Sequence, residues 1–327
     1  MWARFRSFAC ATALVAVSLN PRGADAFVRG VATDTQNPDA LTPPLSWSTS
    51  CEPANIYLNG FTEMTPDEVA KSIAAAAAAW GPDQVNCSSS TGDAGRGHPY
   101  FEIISQFATG SPPAPAPDGN NTIVFQTKSW DQSPDALAYA KPWYQPSGDI
   151  IDVDIEINAV PGRGYVLANL DPGSPLEQHD QTQFDLQALM THEFGHFLGL
   201  AHTCMGEGYG MGSDDSNEPP PGSTDSYGQP IPTCTQGPPD AEAVQAAAVM
   251  WYTVDPGVIA KRILTADDAR GVCAVYSPAA PNIPACAQNS PDDGCNCDAF
   301  GQGPRSLVAP GLVALALLVG TRRRREA

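Results

Sequence analysis

The stretch Thr191-His-Glu-Phe-Gly-His-Phe-Leu-Gly-Leu-Ala-His202 limits what this chain can fold into more than any other. On an α-helix, His192 and His196 lie four residues apart, so both imidazoles leave one face and can meet a common metal. Glu193 stands one step round, beside that metal without having to ligate it. Gly199 can adopt a positive φ, which ends the helix and turns the chain back. That return lets His202 bring a third nitrogen. Three neutral imidazoles with one position left open describe a catalytic zinc site, whereas a structural site closes all four positions.

A bare His-Glu-x-x-His arises by chance in many proteins. The extended pattern, with Gly199 and His202 at their offsets, is far rarer, and it uses three of the chain's five histidines. His98 and His179 read as surface loop residues. A helix that only packs has no use for these side chains at this spacing. The expected chemistry is hydrolytic. Zinc lowers the pKa of a bound water from about 15.7 towards about 7. Glu193 then takes the proton and passes it to a leaving amine.

The rest of the composition bounds where such chemistry happens. A formal net charge of −19 excludes nucleic acid and anionic membrane as partners, since both need a basic surface. The 32 prolines and 29 glycines cluster between apolar segments and mark a loop-rich protein. Arg4 and Arg6, the apolar run Phe8 to Leu19 and Ala24-Asp25-Ala26 have the order of an export signal over residues 1–26, with the mature start at Phe27. Nine cysteines fit an oxidising compartment. Cys10 leaves with the signal and Cys295 and Cys297 lie in the tail. The remaining six allow many pairings, and sequence proximity selects Cys51–Cys87, Cys204–Cys234 and Cys273–Cys286.

Along the body, Asn55 to Phe61 alternates as a strand. Thr65, Pro66 and Glu68 open a helix with a capping box that runs to Trp80 and stops at Gly81-Pro82. Tyr100 to Phe107 and Asn121 to Lys128 read as strands, with the Pro-rich Ser111 to Asp118 as a loop between them. Ile151, Val153, Ile155 and Ile157 share one face of a strand, opposite Asp152, Asp154, Glu156 and Asn158, which predicts a half-buried strand. Thr182 or Asp185 caps the histidine helix. A last helix starts at Thr265, with Asp268 closing its capping box, and continues through Val272 and Val275. The fold class is therefore α+β: a mixed, twisted sheet, an active-site helix and a small C-terminal subdomain ending in a helix.

With these residues in place, His192-Glu193-x-x-His196-x-x-Gly199-x-x-His202 resembles the metzincin zinc signature, and its surroundings resemble the matrixin branch. The resemblance covers Leu45 to Tyr276, strongly after Gln181. It implies a metzincin-like zincin domain over residues 45–277, after a short segment at 27–44, and a zinc-dependent endopeptidase acting on protein or peptide substrates. It also implies a methionine turn, for which Met205 lies too near His202 and Met211 has no apolar support. Met250, in Ala-Val-Met-Trp-Tyr252, is the choice, and residues 203–247 become an insertion. Tyr252 sits at the offset where astacin and serralysin relatives place an oxyanion-stabilising tyrosine, and a core tyrosine is the alternative. Asp149 to Asn158 would be the edge strand that receives substrate, and Thr253 to Leu264 would shape the primed-side pocket. Two departures stand out. The cysteine-switch motif is missing, and too few histidines remain for a second zinc. Calcium has candidate ligands in Asp149, Asp152, Asp154, Asp214, Asp215 and Glu218, with solvated acids as the alternative.

Residues 278–304 read as a linker with Cys295-Asn-Cys297. Residues 305–327 join a short apolar run to Arg322–Arg325, which resembles the MYXO-CTERM sorting signals of surface proteins. That resemblance implies sorting machinery as a partner and a cell-surface or secreted destination; a plain C-terminal anchor is the alternative. The expected chain is a monomer. The competing functions are a metzincin-fold adhesion or binding module that no longer cuts, which has no use for Glu193, and a processing peptidase with one substrate.

Overall fold

A computed structural model describes residues 27–32, 43–49, 51–81, 83–85, 87, 102–173, 182–204, 224, 230–231, 234 and 247–276. All belong to the compact unit Met1–Cys286. The expected export signal, linker and tail, and most of the 203–247 insertion, lie outside the described residues. So do His98, His179, Met205, Met211, Asp214, Asp215, Glu218 and Cys286. Among the described residues, no helix is long and apolar enough to cross a membrane.

The chain opens with β1 (Val28–Arg29), β2 (Ser46–Trp47) and β3 (Cys51–Tyr57). Helix α1 (Pro66–Ala79) follows, with the capping box formed as expected: Thr65 Oγ1 accepts from Glu68 N, and the Glu68 carboxylate accepts from Thr65 N. Then come β4 (Glu102–Phe107), β5 (Thr122–Gln126), β6 (Ala138–Tyr144), β7 (Asp149–Asn158), β8 (Val166–Ala168) and β9 (Gln183–Asp185). The histidine helix α2 (Leu186–Phe197), β10 (Leu200–Ala201), a short 3-10 turn at Ala260–Arg262 and α3 (Ala266–Val275) complete the described part. Class and order match the α+β expectation.

The main sheet has strand order β2-β7-β5-β3-β4, all parallel, with β6 antiparallel on the other side of β7. Parallel strands are normally covered on both faces, and Ile56, Ile123, Phe125, Val153, Ile155 and Ile157 are almost wholly buried. Helix α1 turns Val69, Ile73, Ala76 and Ala77 inward. Its alanines let it lie close against α2, and Trp80 Nε1 donates to Thr191 O at 2.8 Å. Trp47 Nε1 reaches Phe197 O at 2.8 Å, and Tyr276 Oη reaches Leu198 O at 2.9 Å. Both ends of the chain's body thus converge on the end of α2.

Two expectations about β7 need correcting. It is an interior strand, paired to β5 and β2 on one side and β6 on the other, so it cannot be the substrate-receiving edge. Its alternation does not divide core from solvent either: Ile151 is 41% exposed, while Asp152 and Asp154 are 0% and 3% exposed. The Pro-rich loop before β5 covers the acidic face. Asp152 Oδ2 accepts main-chain hydrogen bonds from Asp118, Gly119 and Asn120, and Asp154 accepts from Ala116 and Thr122. Burial pushes the Asp154 carboxyl up to about 6, and the Thr122 hydroxyl bond opposes that shift.

The disulfides also differ. Cys204–Cys234 is formed, 30 residues apart, but Cys87 pairs with Cys273 across 186 residues. Cys51 is disulfide-bonded to neither of that pair. The expected Cys51–Cys87 and Cys273–Cys286 pairings are therefore replaced. Proximity in sequence misled because α3 folds back to the segment after α1, where Cys87 lies. Closing so long a loop constrains the unfolded chain strongly. Replacing Cys87 and Cys273 by alanine together is expected to lower the unfolding free energy by about 2–5 kcal/mol. Urea denaturation measures it, and a shift under about 0.5 kcal/mol would contradict the assignment of that cross-link as a main staple.

Candidate metal centre

The site is built on α2. Asp185 caps the helix, accepting from Ala188 N at 2.7 Å, and is itself held by the Arg262 guanidinium. Two glycines make the geometry possible. Gly199 has φ +84°, and a Cβ there would stand 2.6 Å from Leu45 O. That turn sends the chain into β10, which pairs antiparallel with β1 and delivers His202. Gly195 lies against the methionine turn: a Cβ there would stand 2.0 Å from Met250 Sδ and 3.0 Å from Trp80.

The Nε2 atoms of His192, His196 and His202 lie 3.2 Å from one another. His192 Nδ1 sits 2.7 Å from Val249 O, and His196 Nδ1 sits 2.9 Å from Leu200 O. A carbonyl can only accept, so each of these Nδ1 atoms carries the proton and each Nε2 presents a lone pair. Burial drives His192 far below its usual pKa, the charges of His196, His202 and Lys261 add to that, and the Val249 carbonyl opposes it. The imidazole is neutral, as a ligand must be. Tetrahedral zinc with bonds of about 2.0–2.1 Å places its nitrogens about 3.3–3.4 Å apart, so the triad fits that ion. Among the described residues, these three histidines are the group of His, Cys, Asp and Glu side chains gathered closely enough to hold a metal.

Glu193 is 4% exposed and lines the same cleft as the three histidines. Burial raises its carboxyl to about 8; the His202 charge and a hydrogen bond from Ala140 N–H pull the other way. A dication at the triad would lower it further. Met250 is buried beneath α2. Its turn is fixed by Asp268, which accepts from Val249 N at 2.9 Å and Met250 N at 3.2 Å while also capping α3. Met250 O in turn accepts from Thr203 N at 3.0 Å, one residue past His202. Tyr252 lines the cleft, its ring tilted against Trp251 at 5.5 Å.

The cleft, about 280 Å³, also exposes what the sequence reading missed. Its far wall is β6, the true edge of the sheet. Asn158 N donates to Leu137 O, and the antiparallel register continues to Pro142↔Val153. By alternation, the main-chain groups of Ala138, Ala140 and Pro142 face away from β7, and Ala138 and Ala140 line the cleft. Phe184, Leu189 and Val254 supply apolar lining. Calcium gains no support: Asp152 Oδ2 accepts from main-chain N–H groups of the loop, Asp154 accepts from Ala116 N in the loop and from Thr122 on β5, and Asp149 Oδ2 accepts from Ser147 Oγ at 2.8 Å.

Residues 171–253 match the family model of the pregnancy-associated plasma protein-A peptidases (Peptidase_M43). These are metzincin-type zinc metallopeptidases. No curated protein matches the chain. The matched span contains α2, all three histidines, Glu193, Met250 and Tyr252. It supports a zinc metallopeptidase and gives no support to the expected matrixin branch, since the matched model describes a different metzincin family.

Purified chain is expected to hold about one zinc per molecule, and His202→Ala to lose it on dialysis; elemental analysis decides. Gly195→Ala should destabilise the fold by about 1–3 kcal/mol through overpacking against Met250, read as a lower thermal midpoint.

Proposed function

We propose that this chain is an exported, zinc-dependent endopeptidase of protein or peptide substrates, with Glu193 as its proton carrier. The observation that carries this reading is the convergence of three imidazole lone pairs beside a buried carboxylate, in a cleft whose wall is an open strand edge.

Extended substrate pairs antiparallel with β6, so its backbone bonds the outward carbonyls of Ala138, Ala140 and Pro142. Pro142 has no N–H to donate, so at that position the strand offers only its carbonyl. Ala140 N–H already holds the Glu193 carboxylate in place. The ionised carboxylate takes a proton from the attacking water, and the resulting acid returns it to the departing nitrogen. Bound zinc supplies the Lewis acid that polarises the scissile carbonyl and acidifies that water. Tyr252, which lines the cleft, offers its hydroxyl to the developing oxyanion in this reading. Depth in the fold keeps bulk water from competing for these charges.

The basic, apolar and small-residue order of residues 1–26 supports export. Disulfides in the folded body fit an oxidising space. The order of residues 305–327 supports attachment at the cell surface, with the sorting machinery as a processing partner.

Casein or gelatin cleavage tests the reading. Wild-type chain should cut, a chelator should stop it, and zinc should restore it. Glu193→Ala should fall about 100-fold or more while keeping its zinc. A Glu193→Ala chain that cuts at the wild-type rate would refute the role given to this carboxylate.

A further inference from the structure

Lys261 is 7% exposed, an uncommon burial for an ammonium group. Its Nζ donates to Trp251 O at 3.2 Å and to Thr253 O. Those two carbonyls bracket Tyr252, and Tyr252, Thr253 and Val254 form the cleft wall facing β6. Burial lowers the ammonium's pKa to about 8, while the negative charges of Asp268 and Asp255 hold it up. Among the described residues the segment 251–255 pairs with no strand, and the Lys261 ammonium anchors its course.

Lys261 itself stands on a fixed base. It belongs to the 3-10 turn Ala260–Arg262. The next residue, Arg262, reaches Asp185, the cap of α2, and donates to Leu170 O at 2.8 Å. A continuous path therefore runs from the cap of the histidine helix, through Arg262 and Lys261, to the two carbonyls behind the cleft wall.

We propose that Lys261 is a positioning residue for substrate selection: by fixing the carbonyls of Trp251 and Thr253, it sets where Tyr252, Thr253 and Val254 meet the substrate residues beyond the scissile bond. This rests on the peptidase reading above and extends it to the wall opposite β6. A lysine is suited to the task because one ammonium can serve two carbonyls from different directions. An apolar side chain of similar length, such as methionine, would leave both carbonyls short of a donor, and the wall would relax to find others.

The test compares Lys261→Met, Lys261→Gln and Lys261→Arg with wild type, all zinc-loaded, on two probes. One is a quenched peptide spanning both sides of the scissile bond; the other is a peptide anilide with nothing but the chromophore beyond it. For Lys261→Met, KM for the spanning peptide should rise about tenfold, with kcat changed far less. The ratio of kcat/KM for spanning peptide over anilide should fall by about the same factor. Lys261→Arg, which keeps the charge and donors, should restore most of it. An equal loss on both probes, or no change in the ratio, overturns the proposal. If Lys261→Met fails to fold on thermal melting, Lys261→Gln carries the comparison under the same criteria. If wild type cleaves neither probe, the peptidase reading fails separately. Lys261 is then judged by calorimetry, with a peptide hydroxamate expected to lose affinity in the variant while acetohydroxamate loses far less. Equal losses there overturn it too.

Discussion

Everything near the cleft depends on keeping three imidazoles neutral and aimed at one point inside a folded core. Burial, together with the neighbouring positive charges, keeps His192 neutral, but it does not aim the ring. Aim comes from the Nδ1–H groups, two of which are tied to main-chain carbonyls: His192 to Val249 and His196 to Leu200. Neither carbonyl is on α2. The orientation of these two ligands is therefore set by segments that arrive later in the chain, and the site forms only when those segments have docked.

That dependence explains the otherwise costly features around it. Asp268 spends its buried carboxylate on Val249 N, Met250 N and the cap of α3. It fixes the very carbonyl that orients His192. Gly195 and Gly199 give up side chains so that Met250 and Leu45 can approach the helix and the turn closely. The Cys87–Cys273 bond ties α3 to the region after α1, so Asp268 and α2 are held within one body. Arg262 does the same at the other end of α2, through Asp185.

Much of this was legible in the sequence. The helices announced themselves by caps whose hydrogen bonds are local, Thr65 with Glu68 and Thr265 with Asp268. The triad was legible because helix periodicity and one glycine determine where its imidazoles project. What escaped depends on partners far away in the chain. Pro142 argues against a strand unless that strand is an edge, and only the folded sheet shows that β6 is one. Asp152 and Asp154 look like a solvent face until the loop around Asp118 is laid over them. Cysteine pairing likewise follows the docking of α3, which spacing along the chain does not encode. The matrixin branch gained no support for a related reason: the helix-and-glycine signature reports the metal chemistry, while the surrounding segments distinguish the families.

The most direct test of the centre is X-ray absorption at the zinc edge of the reconstituted chain. Expected is a shell of about three imidazole nitrogens and one oxygen donor near 2.0–2.1 Å, with one nitrogen fewer in His202→Ala loaded with one equivalent of zinc and measured without dialysis. A sulfur shell near 2.3 Å, or a nitrogen count unchanged by that substitution, would contradict a site made of His192, His196 and His202 with one position open to substrate.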